Sequence, residues 1–403
     1  MEKQISFIHA ADLHLDSPFK GLANLPEHIF QQVKDSTFTA LNNLVDCAIE
    51  KQVDFVLLVG DLFDNESQSL KAQVKLRTAF KKLAEHNINV YLSYGNHDYM
   101  KGNVHPITYP DNVFIFSSEN VESFNYKDLA KIYGFSYEHR VVTNKKVDEY
   151  HIQSSSTPFH IAMLHGSYGD NAEHDTYAPF QLTDLTEKEF DYWALGHIHK
   201  REIIHSNPSI IYPGNIQGRN RKEVGEKGCY YVNMNEALTE KEFIPLHAIE
   251  FSQLSVDVSE ATAIDQLENR LRSKLEELNS PTPQLIELTL TSSQEIILEW
   301  KINHLIDDVI EILNDFFTEQ KNWRYIYKSN MNFNQQRLTE EGEHFVAELT
   351  RHFQDAPIQE YISELYQHRQ ARKFLDRLTA EEMEEIKKSA QELLIHELSN
   401  SDE

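Results

Sequence analysis

Seven residues of metal-ligand type, Asp12, His14, Asp61, Asn96, His165, His197 and His199, stand at or just past the ends of five short apolar runs. The segments read ISFIHAADLH, VDFVLLVGDLFD, INVYLSYGNHD, FHIAMLHGS and YWALGHIH. Apolar runs this short and unbroken read as strands buried on both faces, so each ligand falls at the carboxyl edge of an α/β sheet, where such sheets place their chemistry. The second segment is central, because Gly60 lets the backbone pass close to an ion held by Asp61. Side chains two apart on an extended segment share a face, so Asp12 and His14 can reach one ion together, and His197 and His199 likewise. Seven nitrogen and oxygen ligands exceed what one ion takes once waters are counted, so two ions are expected. A mixed imidazole and carboxylate set without thiolate suits manganese, iron or zinc, and manganese is the first choice.

Two divalent cations against two aspartates leave a local charge of about +2, which selects a phosphate-bearing substrate. Ions roughly 3.5 to 4 Å apart make a hydroxide at neutral pH, hold it in line with phosphorus, and stabilise both attacking and leaving oxygens. Asp61 is the natural bridge between them. His97, between a ligand and Asp98, is expected to point away from the ions. Asp98 would fix its tautomer and leave the imidazole to protonate the leaving oxygen. Any one of these histidines alone would more commonly be a satisfied buried or surface residue, and a lone Gly-Asp is ordinary turn chemistry. The assignment rests on all five segments ending alike.

The elements that must position these residues alternate. Asp35 to Lys51 and Ser69 to His86 carry apolar residues at helical spacing between strands, which is the βαβ pattern. Short strands are expected in NVFIF and KIYGFSY, and an exposed connection over 144–157. Consecutive antiparallel strands are expected in REIIHS, SIIYPGN, GCYYVNM and EFIPLH, separated by turn residues. Three regions follow: 1–251 with the ligands, 252–333 as a small α/β domain with helices near 261–278 and 302–317, and a charge-rich helical stretch, 334–403.

At 403 residues and 40% hydrophobic content the chain can bury a large core. Its two cysteines, Cys47 and Cys229, lie far apart in sequence and suggest neither a disulfide framework nor a thiolate metal site. No apolar stretch reaches the ~20 residues of a membrane span, and the chain reads as cytoplasmic. A formal net charge of -26 argues against a protein that coats nucleic acid by charge alone. Screening over roughly 8 Å means that a phosphate responds to nearby groups, and bound cations invert the local sign.

Together, Asp12-Leu-His14, Gly60-Asp61-Leu-Phe-Asp64, Gly95-Asn96-His97-Asp98, His165-Gly166 and Gly196-His197-Ile-His199 resemble the five motifs of calcineurin-like metallophosphoesterases. The likeness covers about the first 250 residues. The opening HAADLHLDSPF, GDLFD and YPGNIQGRN are similar to the SbcD/YhaO-type DNA repair exonucleases, relatives of the Mre nuclease subunit. The resemblance implies a double-sheet sandwich flanked by helices, two manganese ions and cleavage of DNA phosphodiesters. It implies that Asp12, His14, Asp61 and His199 hold one ion, that Asp61, Asn96, His165 and His197 hold the other, and that His97 is catalytic. It further implies a capping domain, a homodimer, and C-terminal helices that contact an SMC-like (SbcC-type) ATPase. The wording after His199 departs from the family, so Arg219, Arg221 and Lys222 are offered only as a phosphate-positioning patch, beside the reading that they are solvated loop charges. Two rival functions remain: a small-molecule or cyclic-nucleotide phosphoesterase on the same ions, and a non-catalytic scaffold for the ATPase.

Overall fold

The computed structural model describes residues 3–333 apart from 20, 23–24, 65–67, 102–106, 153–156 and 170–176, together with isolated residues beyond 333. The described part begins with β1 (Gln4–Ala10), α1 (Glu27–Glu50), β2 (Phe55–Val59), α2 (Leu70–Glu85), β3 (Asn89–Ser93) and β4 (Val113–Ile115). There follow β5 (Glu122–Tyr126), β6 (Ala130–Gly134), β7 (Phe159–His165), α3 (Leu182–Thr186), β8 (Tyr192–Gly196), β9 (Glu202–Ser206) and β10 (Ser209–Tyr212). Then come β11 (Gly228–Asn235) and β12 (Thr239–Pro245). They form two six-stranded sheets, ordered β12-β11-β1-β2-β3-β4 and β5-β6-β7-β8-β10-β9. In the first, β1, β2, β3 and β4 are parallel out to one edge and the antiparallel hairpin β11-β12 completes the other side; in the second, the four central strands are parallel and the antiparallel β5 and β9 lie at the edges.

The two sheets face each other across one core. Phe7, Phe55, Leu57, Val59 and Tyr91 from the first pack with Ile132, Ile161, Met163, Tyr192 and Ala194 from the second. The outer face of the first sheet, through Ile8, Val56, Leu58 and Val90, is covered by Leu41 and Leu44 of α1 and Leu76 and Phe80 of α2. Leu185 of α3 lies over Ala162, Leu164, Trp193 and Ile210 on the outer face of the second. The layering is therefore αββα. Burial on both faces is why β2, β7 and β8 are apolar without alternation.

One polar group is buried inside this sandwich. His9 of β1 meets the Tyr192 hydroxyl at Nδ1 and donates from Nε2 to Leu195 O, both at 3.0 Å, which ties the first sheet to β8. Burial drives its imidazole down to about 3, opposed by the bond to Leu195.

The remainder comprises β13 (Glu250–Asp257), α4 (Ile264–Glu277), β14 (Gln284–Ser292), α5 (Glu295–Ile302), α6 (Leu305–Thr318) and β15 (Arg324–Phe333), with the sheet ordered β13-β14-β15. The chain divides into two compact units. One contains residues 1–254, 275–288 and 314–330, and the other 255–274, 289–313 and the described residues from 331 onward. Among the described residues no helix is long and apolar enough to cross a membrane. The helical reading of 334–403 lies almost wholly outside the described residues.

Several expectations change. α1 begins at Glu27 after Pro26, eight residues before Asp35, because Ile29 and Val33 face Leu22, Leu25, Phe251 and Trp323 rather than the sheet. The helix expected near 302–317 is α6, and a further helix, α5, precedes it, the two separated where His304 turns to φ 61°. The connection expected to be exposed contains a 3-10 turn, Lys146–Glu149, and buries Val147 and Tyr150. The run of strands after 201 is not one antiparallel series, since the chain leaves the second sheet after β10 and enters the first at β11. Cys47 and Cys229 come within hydrogen-bonding reach of each other as free thiols.

His9 makes folding pH-dependent. The unfolded chain takes a proton near the ordinary value of 6.5, and the folded chain refuses it until about 3, so its contribution is complete above 6.5 and is lost as pH falls toward 3. In urea unfolding between pH 6 and 4, His9→Gln is expected to flatten the loss of stability by up to ~1.4 kcal/mol per pH unit. Parallel slopes in the two proteins would show that the folded chain protonates His9 normally.

Candidate metal centre

Four of the ligand-type residues lie beyond the strand ends on backbone that has turned out of the extended region, whereas His165 is the last residue of β7. Asp12, His14 and Asp61 have φ of 53°, 41° and 51°, and His197 has 100°, conformations that cost a non-glycine residue ~1 kcal/mol or more. The loops after β1 and β2 run side by side, with Asp12 N donating to Gly60 O at 3.2 Å and His14 N to Asp61 O at 3.0 Å. His197 N donates to both oxygens of Asp12 at 3.1 Å, and His97 N to Asp61 Oδ1 at 2.9 Å. Backbone amides thus aim both carboxylates.

The turns sort the side chains into two groups whose ligand atoms all lie within 4.8 Å of one another, Asp12, His14 and His199 in one and Asp61, His165 and His197 in the other. The two histidines of GHIH therefore part company, contrary to the expectation that alternation puts both on one ion, because the turn at His197 breaks the extended geometry. Asn96 Oδ1 joins the second group, 3.0 Å from His165 Nε2 and 3.1 Å from His197 Nδ1. Asp61 Oδ2 lies between the groups, 3.4 Å from His165 Nε2 and 3.8 Å from His14 Nε2.

The donor chemistry fits bound cations. His14 and His199 point Nε2 at Nε2 across 3.1 Å, and among the described residues His14 Nδ1 has no hydrogen-bond partner. His165 Nδ1 donates to Val59 O at 3.0 Å, which leaves Nε2 facing the oxygens of Asn96 and Asp61. Lone pairs facing lone pairs in a buried site require a proton or a cation. Without a cation the proton goes to His165: burial opposes its charge, but Asp61 and then Asp12 raise it to about 9. The neighbouring His14 and His197 are pushed down by burial, His197 to about 3, so the unprotonated, ligating form is available.

The other expected residues are placed differently. His97 stacks edge-on against His14, with ring centroids 5.0 Å apart, and belongs to neither group. Asp98, expected to orient His97, accepts instead from Leu62 N and Gly95 N, each at 2.7 Å, and so joins the loops after β2 and β3. Burial pushes its carboxyl up to about 7. Arg219 is largely buried and pairs with Asp64 at 3.0 Å, Arg221 lies in the field of Tyr327, and Lys222 is exposed. Glu223 was not foreseen: its Oε1 accepts from His199 Nδ1 at 2.8 Å. One more glutamate in a strongly acidic chain, 24 residues from its partner, gives no signal in sequence.

An αββα sandwich with two adjoining imidazole and carboxylate groups at its strand ends defines a dinuclear-type metal site. The family described as calcineurin-like phosphoesterase matches residues 5–201. The uncharacterized metallophosphoesterase YhaO of Bacillus subtilis is 38% identical over 99% of both chains. The DNA double-strand break repair protein Mre11 of Methanocaldococcus jannaschii is 28% identical over 64% of this chain and 66% of its own. Its Sulfolobus acidocaldarius counterpart is 24% identical over 68% and 70%. This chain belongs to the calcineurin-like metallophosphoesterases, hydrolases of phosphoesters that use divalent metals.

Two outcomes follow from the packing. A Cβ at Gly196 would lie 2.1 Å from Val59 O and 2.9 Å from His165 Nδ1, whereas one at Gly225 meets nothing within 4 Å. In thermal melts Gly196→Ala is expected to lose ~1–3 kcal/mol and to weaken metal uptake, while Gly225→Ala loses only the ~1 kcal/mol of its left-handed backbone. Equal effects would show that the loops around His165 relax freely. Chelation with EDTA should lower the melting temperature, and 1 mM divalent ion at a micromolar site should restore ~4 kcal/mol. A melt indifferent to both would remove the metal centre.

Proposed function

We propose that the protein is a two-metal phosphodiesterase acting on DNA, an exonuclease with endonuclease capacity in end processing or repair. The observation that carries the reading is the pair of ligand groups with Asp61 between them, in a chain whose partial relatives include Mre11 proteins. Asp12, His14, Asp61 and His199 hold one ion in this assignment, and Asp61, Asn96, His165 and His197 the other, with manganese preferred for a mixed nitrogen and oxygen set. When bound, the ions supply Lewis acidity and positive charge at phosphorus.

The chain's own residues do the rest. Asp61 is held for bridging by the amide of His97, and His165 by Val59 O. The His97 imidazole, outside both groups and beside His14, is placed to exchange a proton with the leaving oxygen. Arg219, close enough to depress His14 by its charge, is the one of the three candidate cations adjoining the ligands and the one assigned to the scissile phosphate. An SMC-like ATPase and a second copy of the chain complete the working assembly.

His97→Ala is expected to bind both ions with normal stoichiometry by elemental analysis and to lose 10²–10⁴ in turnover. Loss of the ions instead would make His97 a structural residue. Purified protein with manganese should degrade linear duplex DNA. If it spares the duplex but hydrolyses a small aryl phosphodiester rapidly, the substrate is small and the DNA reading fails. If Asp61→Ala abolishes ion binding yet leaves cellular function intact, the scaffold reading wins.

A further inference from the structure

We infer that Glu223 makes the two ion positions unequal, so that the position of Asp12, His14 and His199 fills first. The inference rests on the metal-binding reading above and deepens it. Each group contains a histidine oriented from behind, but the groups behind differ. His165 donates from Nδ1 to the neutral carbonyl of Val59 at 3.0 Å. His199 donates from Nδ1 to the carboxylate of Glu223 at 2.8 Å. A carboxylate behind an imidazole raises its basicity and fixes the tautomer that presents Nε2 to the ion, which a carbonyl does more weakly.

Glu223 is held in this role from several sides. Its Oε2 accepts from Asn215 Nδ2 at 2.7 Å and from Arg219 N at 2.8 Å, and it is nine-tenths buried. The Arg219 guanidinium lies 3.0 Å from Asp64 and 3.7 Å from Glu223, and its Nη2 stands 3.3 Å from His199 Nδ1. Lys227 Nζ also donates to His199 O at 3.3 Å, so both ends of that residue are clamped.

The test is calorimetric titration of the metal-free full chain with manganese chloride. Wild type is expected to show a tight step and a weaker one. Asp12→Asn should abolish the tight step and His197→Asn the weak one, which assigns each step to its group. Glu223→Gln should weaken the tight step 10- to 100-fold and leave the weak step within threefold. Asn215→Ala, which removes one bond to Glu223 but keeps its carboxylate, should retain the tight step. Melting temperatures of the metal-free variants check folding, and if Glu223→Gln melts low, Glu223→Asp carries the same comparison. Unchanged steps in Glu223→Gln, or equal weakening of both, overturn the inference while the two-ion reading stands. Wild type that takes up no manganese overturns both.

Discussion

Too many lone pairs meet in one dry place for this site to be content without positive charge. Four imidazole nitrogens, an amide oxygen and two carboxylates converge on spaces where ligand atoms face one another at close range. In a low-dielectric interior such an arrangement is unfavourable unless cations or protons fill it. Much of the surrounding architecture serves that crowding. The left-handed turns at Asp12, His14 and Asp61, the close approach of Gly60, Gly95 and Gly196, and the backbone amides on both aspartates all bring acceptors nearer than unassisted strands would. Asp98 contributes by fastening the loop after β2 to the loop after β3 rather than by touching the chemistry.

The sandwich itself explains why the crowding is tolerated. Parallel strands buried on both faces end together, and the ligands stand at or within a few residues of those ends, so they inherit the rigidity of the core. His9 shows the same economy of polar groups deeper inside, neutral and fully bonded between the sheets. Strong net acidity is compatible with a phosphoester substrate because the charge that matters is local. Cations held at the ligands would act on such a substrate at closer range than carboxylates exposed elsewhere on the surface.

Much of this was legible in the residues. Unbroken apolar runs ending in Asp, Asn or His announce buried parallel strands and the edge at which they act, since a strand covered on both faces admits no alternation. The helices between them were visible by period. Other features were not visible because their causes are distant. The first turns of α1 pack on Phe251 and Trp323, more than two hundred residues away, so no sheet-facing period marks them. The passage from β10 to β11 looks like any turn, yet it changes sheets, and it is this passage that carries Arg219 and Glu223 to the ligands.

Ligand chemistry and the strand ends that bear it followed from residue types and local pattern alone, because oxygen and nitrogen donors and apolar runs carry their meaning at short range. Which histidine joins which aspartate did not. That partition depends on the backbone turn at His197, and the identity of the group behind each imidazole depends on segments brought together only by folding, so tertiary structure alone decided that Val59 backs one histidine and Glu223 the other.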